Sequence, residues 1–340
     1  DIHSKLRTGE QVFDKTVEEL VELYLEEQET RIRQGDVGGG KLGITEGRYG
    51  TIKTQLNNHL IGFLGNKTRL SKIGNHSFKH KYYRYRKDKS KTVTDGTIIN
   101  ERVTINNLFK FGVQKKLIRQ GQVPVWEEMK KEKPKGDSFT LGEWKEMYTY
   151  LRTWSKDEEE LQEKTRKEFV RHFILVLCNT GLRFGECRYL KWRNIKLIKE
   201  KDGNTTSVID VKISKTGERT GVIGRNGEYF KRLKKLSNFT KDTDWVFVDN
   251  ETGGQIGKTT LYRLWKEILD NTSLNDNYTY YTLRHTYCTF RLLSGVDIYL
   301  LSQNMGTSIY NIENTYGHVK LLDKRHELTG GKKLTESDRV

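Results

Sequence analysis

The two prolines of this chain lie in one short charged segment. Pro124 and Pro134 both fall within GQVPVWEEMKKEKPKGDS, and the sequence on either side follows helical periodicity. Because proline lacks an N–H donor and breaks helix and strand interiors, a polar segment that carries both prolines is typical of a domain linker. At 340 residues, the chain is also longer than the roughly 250 to 300 residues at which single cores stop growing. The sequence therefore predicts two domains.

The linker sets the predicted domain limits. We predict a helical domain over residues 1–121, a linker over 122–138, a second domain over 139–316 and a tail over 317–340. Within the first domain, apolar residues recur at helical spacing in three segments: 16–32, 45–64 and 97–117.

A basic and aromatic run, KHKYYRYRKDKSK, lies between the last two of these segments. Its interleaved tyrosines favour a docked helix whose basic residues face phosphates, and the alternative is a solvated loop. The predicted DNA-binding residues of this domain are Arg48, Lys53, Lys79, Lys81, Arg84 and Arg86.

The second domain combines helices with a few short strands. Segments 208–214 and 220–224 predict a hairpin, and DWVFV at 244–248 is a candidate third strand. Helices are predicted over 140–153, 161–179, 228–236, 259–270, 282–294 and 298–304. The predicted fold class is mainly α with a small antiparallel β-sheet.

The charge balance predicts a polyanionic partner. Lys and Arg outnumber Asp and Glu by 61 to 45, which gives a net charge of +16, while 34% hydrophobic residues are enough for folded cores. Nucleic acid is a suitable partner for a chain with such an excess of positive charge, because binding releases the counterions condensed on the phosphates. A membrane surface is the competing polyanion, but the chain has no apolar run of about 18 residues that could span a bilayer.

The cysteines form no CxxC pair, and no P-loop, GxGxxG or HExxH motif occurs, so we expect no metal and no cofactor.

Four residues stand in a pattern that metal-free DNA strand cleavage requires. They are Arg183 in NTGLRFGE, Lys215 in ISKTGER, Arg284 in YTLRHTY and Tyr316 in ENTYGHV. Two arginines can hold one phosphate through their planar donor forks, a lysine can give a proton, and a tyrosine can attack. In these motifs the chain resembles the tyrosine recombinase (phage integrase) family, and the resemblance covers nearly all of its length.

The resemblance assigns a role to each position. Arg183 and Arg284 would bind the scissile phosphate, with Glu186 orienting Arg183, since residues three apart share one side of a helix. Lys215 would protonate the leaving 5′ hydroxyl, with Lys212 as the alternative. Tyr316 would be the nucleophile.

The resemblance implies a nucleophile nine residues after the family's second histidine or tryptophan. Tyr316 keeps this spacing from Thr307 in the Met-Gly-Thr turn, and Tyr310 and Tyr299 fit it less well. Two positions depart from the family pattern. Tyr281 and Thr307 stand where most members have histidine or, at the second position, histidine or tryptophan. Their hydroxyls can donate a hydrogen bond, but they carry protons poorly near neutral pH. We expect activity to persist at a lower rate, and we interpret the neighbouring His285 as a packing residue.

The resemblance also implies an activity and partners. A helical core-binding domain and a catalytic domain would enclose duplex DNA, and a homotetramer on paired sites would exchange strands through a 3′-phosphotyrosine and a Holliday junction. The tail would dock on a neighbouring subunit, and DNA-bending accessory proteins are possible partners. The protein would act in the cytoplasm, at the nucleoid of a bacterial host of a phage or mobile element. The alternatives are a type IB topoisomerase and a non-catalytic DNA-binding relative. The recombination site, the direction of the reaction and the presence of an arm-binding domain before residue 1 stay open.

Overall fold

The computed structural model describes residues 14–33, 43–129, 137–212 and 217–314 of the chain. The described residues divide into two compact units, one on either side of residues 130–136. The predicted fold class, mainly helical with a small antiparallel sheet, is confirmed. Within the described ranges, no helix has both the length and the apolar character to cross a membrane, and no cluster of His, Cys, Asp or Glu could hold a metal ion.

The first unit is helical where it is described. Its longer helices are α1 (Val17–Thr30), α2 (Glu46–Thr54), α3 (Lys79–Lys89) and α4 (Asp95–Gln114). Helix α2 continues through a π-helical turn, Gln55–Leu60, into Ile61–Leu64. A capping box begins α1, because Thr16 N donates to Glu19 at 2.7 Å and Glu19 N donates back to the Thr16 hydroxyl.

Helix α3 is the docked helix that the aromatic and basic run predicts. Tyr82 on this helix is fully buried, and its hydroxyl donates to Glu101 of α4 at 2.9 Å. The Phe63 ring packs edge-on against Tyr82 at 5.3 Å between ring centroids. The tyrosines thus hold the helix on the core of the unit, and α3 is not a solvated loop.

The second unit surrounds a three-stranded sheet with helices. The helices are α5 (Leu141–Thr153), α6 (Leu161–Thr180), α7 (Phe184–Arg188), α8 (Glu228–Leu236), α9 (Lys258–Asp270), α10 (Tyr280–Leu293) and α11 (Ile298–Met305). Residues 309–314 are also helical, up to the last described residue. Helix α6 lies in the core, with a buried apolar end from Phe169 to Cys178, and α10 packs along it.

The sheet has the order β1-β2-β3 and is antiparallel throughout. Strands β2 (Thr205–Val211) and β3 (Arg219–Gly224) form the predicted hairpin. The predicted third strand is wrong: the sheet is completed by β1 (Ile195–Lys199), and residues 244–248 make only isolated bridges. Their apolar side chains are buried as an irregular segment, which is why this run resembles a strand in sequence.

Candidate active site

Arg183 is mounted on the sharp turn between α6 and α7. Gly181 ends α6 in a left-handed conformation, φ +67°, and a Cβ atom there would lie 2.4 Å from the ring of Tyr287. Both facts require glycine at this position. Arg183 then caps α7, and its backbone N–H donates to Glu186 at 2.9 Å.

The Arg183 guanidinium is held from two sides. Its Nη1 donates to Glu186 Oε1 at 2.6 Å, and its Nη2 donates to the carbonyl of Gly306 at 2.6 Å. The Glu186 carboxylate is buried, while about a quarter of the Arg183 side chain stays accessible. Glu186 thus contacts the guanidinium that the sequence analysis expects it to orient, and this orienting role stays a prediction.

Arg284 lies on α10 and is only 4% exposed. Its Nη1 donates to the carbonyl of Gly181, and its Nη2 donates to that of Met305 at 2.9 Å. The carbonyls of Met305 and Gly306 thus receive Arg284 and Arg183, respectively. The two predicted phosphate-binding arginines, about a hundred residues apart in sequence, meet at one turn.

A third arginine joins them, which the sequence analysis missed. Arg219, the first residue of β3, donates from Nη2 to Glu186 Oε2 at 2.6 Å and from Nη1 to the carbonyl of Asn304 at 2.7 Å. Burial lowers the pKa of Arg219, the nearby charges of Arg284 and Arg183 lower it further, and Glu186 opposes the change. Positive charge is therefore concentrated around the Glu186 carboxylate.

The two hydroxyl-bearing residues occupy different surroundings. Thr307 is half-buried beside Gly306, and it lines a groove of about 1090 Å³ together with Arg183 and Arg219. Tyr281 is 51% exposed in the first turn of α10, with its ring edge-on to His285 at 4.6 Å between ring centroids. Burial, aided by the adjacent Arg284 charge, lowers the pKa of His285 to about 4. His285 is therefore neutral at pH 7, which agrees with a packing role.

Lys215 and Tyr316, the predicted proton donor and nucleophile, lie outside the described residues. Lys212, the alternative to Lys215, is described and forms an ion pair with Glu218 at 3.2 Å. The roles of Lys215 and Tyr316 remain predictions from the sequence.

Four of the six predicted DNA-binding residues of the first unit lie on α3, and the other two lie on α2. Lys79, Lys81 and Arg84 are exposed on α3. The prediction that Arg86 binds DNA is corrected by the structure. Arg86 is only 6% exposed, and its Nε and Nη2 donate to the two oxygens of Glu101 at 2.8 and 2.9 Å. Arg86 thus belongs to the buried Tyr82–Glu101 network between α3 and α4, and not to the basic surface of α3.

Helix α2 carries the other two predicted DNA-binding residues. Arg48 is half-buried and donates to the Thr104 hydroxyl at 3.1 Å. Lys53 is exposed, but it lines a groove that also includes Glu22, Glu26 and Glu29 of α1. This acidic surrounding makes Lys53 a poor phosphate contact.

Curated relatives match part of the chain. The XerC-like tyrosine recombinase of Caldanaerobacter subterraneus subsp. tengcongensis is 26% identical over 201 residues, which cover 50% of this chain and 51% of that protein. Tyrosine recombinase XerC of Oceanobacillus iheyensis is 26% identical over 151 residues, which cover 42% of this chain and 47% of the relative. The chain thus spans about half the length of these relatives.

Solved structures share the fold over most of the chain. The Tn1549 transposon integrase, solved with circular intermediate DNA, superposes with a TM-score of 0.62 at 16% identity and covers 92% of this chain and 99% of its own. The XerH site-specific recombinase bound to its difH substrate gives a TM-score of 0.63 at 15% identity, with 95% and 99% covered. The phage integrase family model matches residues 142–321, more than half of the chain. The chain therefore belongs to the phage integrase family, that of the tyrosine recombinases.

Proposed function

We propose that this protein is a site-specific DNA recombinase that cleaves and rejoins duplex DNA through a 3′-phosphotyrosine intermediate. The observation that carries the proposal is the meeting of Arg183 and Arg284 at the Met305–Gly306 turn. Two guanidinium groups held by backbone carbonyls are preorganised, so they need little rearrangement to bind a phosphate. The integrase and the recombinase that share this fold were both solved with DNA, which supports duplex DNA as the partner.

In the proposed first step, the Tyr316 phenolic oxygen attacks the scissile phosphorus. A bond forms between this oxygen and phosphorus, and the bond from phosphorus to the 5′ oxygen breaks. The phenol loses its proton to water as it attacks, and Lys215 gives a proton to the leaving 5′ oxygen. Arg183 and Arg284 stabilise the negative charge that builds on the non-bridging oxygens.

The second step reverses the first on a partner strand. The 5′ hydroxyl of that strand gives its proton to Lys215 and attacks the phosphotyrosine. The bond from phosphorus to the tyrosine oxygen breaks, and the released phenolate takes a proton from water. One phosphodiester is formed for each one broken, so no step of the proposed mechanism uses ATP or a metal ion. One pair of strands is exchanged before the other, so the reaction passes through a Holliday junction. We propose that a homotetramer bound to two sites carries out the exchange.

Tyr281 and Thr307 would serve this reaction as hydrogen-bond donors. Thr307 follows the turn that receives both arginines, and its hydroxyl accepts weakly from Asn311 at 3.4 Å. Tyr281 is exposed on α10, three residues before Arg284 in the sequence. A neutral hydrogen bond contributes about 0.5 to 1.5 kcal/mol, so the two hydroxyls assist catalysis without carrying it.

The chemistry of the cleaved ends tests the proposed function. We expect the protein, incubated with a DNA library and stopped with detergent, to stay covalently linked to 3′ ends and to leave free 5′ hydroxyls. Polynucleotide kinase should label these 5′ ends without prior phosphatase treatment. Sequencing the captured ends would also identify the site. Adducts on 5′ ends, or DNA binding with no adduct on any substrate, would contradict the proposal.

The exposed and buried arginines of α3 give a matched pair of variants. We expect Arg84→Gln to weaken DNA binding and to reduce the slope of log K against log salt by about 1, because one phosphate contact is lost. Arg86→Gln should instead lower the free energy of unfolding by about 3 to 5 kcal/mol, since it leaves Glu101 buried without its ion-pair partner. Salt-dependent binding and denaturant unfolding separate the two results. An unchanged salt slope in Arg84→Gln would exclude this residue from the interface.

A further inference from the structure

Arg219 touches two of the parts that build the phosphate site. Its guanidinium donates to Glu186 at 2.6 Å and to the carbonyl of Asn304 at 2.7 Å. Only about 13% of the side chain is accessible to solvent. It also begins β3, four residues after Lys215. One side chain therefore joins the β2–β3 hairpin to α7 and to the end of α11.

The contact with Glu186 bears directly on Arg183. Glu186 Oε2 accepts from Arg219 and from the Arg183 backbone N–H, while Oε1 accepts from the Arg183 guanidinium. Because Arg219 occupies one oxygen, it fixes the plane of the carboxylate. The other oxygen is then directed at Arg183. Without Arg219, the carboxylate is held only by Arg183 itself, so the orientation of the pair loses its restraint from β3.

The contact with Asn304 bears on the turn that both phosphate-binding arginines share. The Asn304 side chain accepts from Ile223 N at 2.7 Å and donates to Ile223 O at 3.1 Å, which fixes the end of α11 to β3. Arg219 holds the carbonyl of the same residue. At Gly306, a Cβ atom would lie 2.5 Å from Arg219 Cδ, so the glycine lets the arginine pass directly over the turn.

The position of Arg219 is electrostatically unfavourable. It is mostly buried, and the charges of Arg183 and Arg284 lie near enough to lower its pKa. Burying like charges together costs stability unless hydrogen bonds and a counter-charge offset it. Strained electrostatics of this kind concentrate at functional sites.

We infer that Arg219 is a positioning residue for strand cleavage, which orients Arg183 through Glu186 and fixes the Met305–Gly306 turn through Asn304. The inference rests on the proposed function. Arg219 acts on the phosphate indirectly, through Glu186 and Asn304, and it links the start of β3 to both. A misplacement of about 1 Å at a reacting centre can cost about 10²-fold in rate.

Single-turnover cleavage of a nicked suicide substrate tests the role. We expect Arg219→Ala to lower the rate constant by about 10²-fold while the amplitude and the DNA affinity stay near those of the wild type. Arg219→Lys should recover only part of the rate, since an ammonium cannot hold both partners in one plane. Arg152→Ala is the control, because Arg152 is an exposed arginine of α5 that lies over the Tyr148 ring and does not line this groove, and it should cleave at nearly the wild-type rate.

The rate constant and the amplitude separate positioning from folding. A residue that only stabilises the fold would lower the amplitude and leave the rate constant of the folded fraction unchanged, and that result would overturn the inference. So would an Arg219→Ala rate constant within about threefold of wild type. If the wild-type protein itself forms no adduct, the proposed function is wrong. If the wild type forms an adduct and Arg219→Ala forms it at the same rate, only the inference about Arg219 is wrong.

A double-mutant cycle identifies the route of the effect. Because Arg219 acts largely through Glu186, adding Arg219→Ala to Glu186→Ala should lower the rate by no more than a few-fold beyond Glu186→Ala alone. If the two losses instead multiply in full, Arg219 acts independently of Glu186, and the proposed route is wrong.

Discussion

Replacing Arg183 with lysine is expected to slow single-turnover DNA cleavage by about 10² to 10³-fold, the usual cost of losing one preorganised donor in a transition state. The lysine keeps the charge. It cannot contact Glu186, the Gly306 carbonyl and a phosphate at once, as the planar arginine fork can. Since the charge is retained, DNA affinity should fall far less than the rate.

The measurement is the rate constant for adduct formation on a suicide substrate, with DNA affinity measured in parallel. Arg152→Lys is a suitable control, because Arg152 is an exposed arginine of α5 that stacks on Tyr148. This control should cleave at nearly the wild-type rate. Equal rates for Arg183→Lys and the wild type would remove Arg183 from the phosphate site.

Most helices could be predicted because their start and stop signals are local. The Thr140–Glu143 capping box begins α5, and Gly181 ends α6, as the sequence indicates. The third strand could not be assigned in the same way. IKLIK of β1, with two lysines, and the more apolar DWVFV at 244–248 are both short segments with strand-forming residues, and only β1 pairs with a partner strand. That partner is chosen by tertiary packing, which a short pattern does not encode.

The candidate site likewise contains residues that local motifs predict and one that they do not. Arg183, Glu186 and Arg284 could be found because their motifs are local. Arg219 follows the charged hairpin tip and resembles a solvated residue in sequence. Its partners, Glu186 and Asn304, lie 33 and 85 residues away along the chain.

The burial of Arg86 could have been predicted from helical periodicity. It lies four residues after Tyr82 on α3, and positions four apart share one helix face. A helix that buries Tyr82 therefore also turns Arg86 inward. Placing every basic residue of the run toward phosphates overlooked this periodicity.

Replacing Tyr316 with phenylalanine is expected to abolish the covalent protein–DNA complex. Phenylalanine keeps the aromatic ring but has no oxygen to bond with phosphorus, so the first step cannot occur. DNA binding should remain, because the arginines and the basic residues of α3 are unchanged. The effect is a complete loss of adduct, and it distinguishes a catalytic nucleophile from the general DNA affinity of a basic protein.

Two other tyrosines near this end of the chain provide matched controls. Tyr299 and Tyr310 are 58% and 65% exposed, so phenylalanine at either position should leave the fold intact. They are also the alternative nucleophiles that the sequence analysis weighed. Both variants should form the adduct as the wild type does.

The most direct test of the account is therefore adduct formation on a suicide DNA substrate, resolved on a denaturing gel, for the wild type and these three variants. The account predicts a protein–DNA band for the wild type, Tyr299→Phe and Tyr310→Phe, and none for Tyr316→Phe. A persistent band in Tyr316→Phe, or its loss in Tyr310→Phe alone, would contradict the assignment of Tyr316 as the nucleophile.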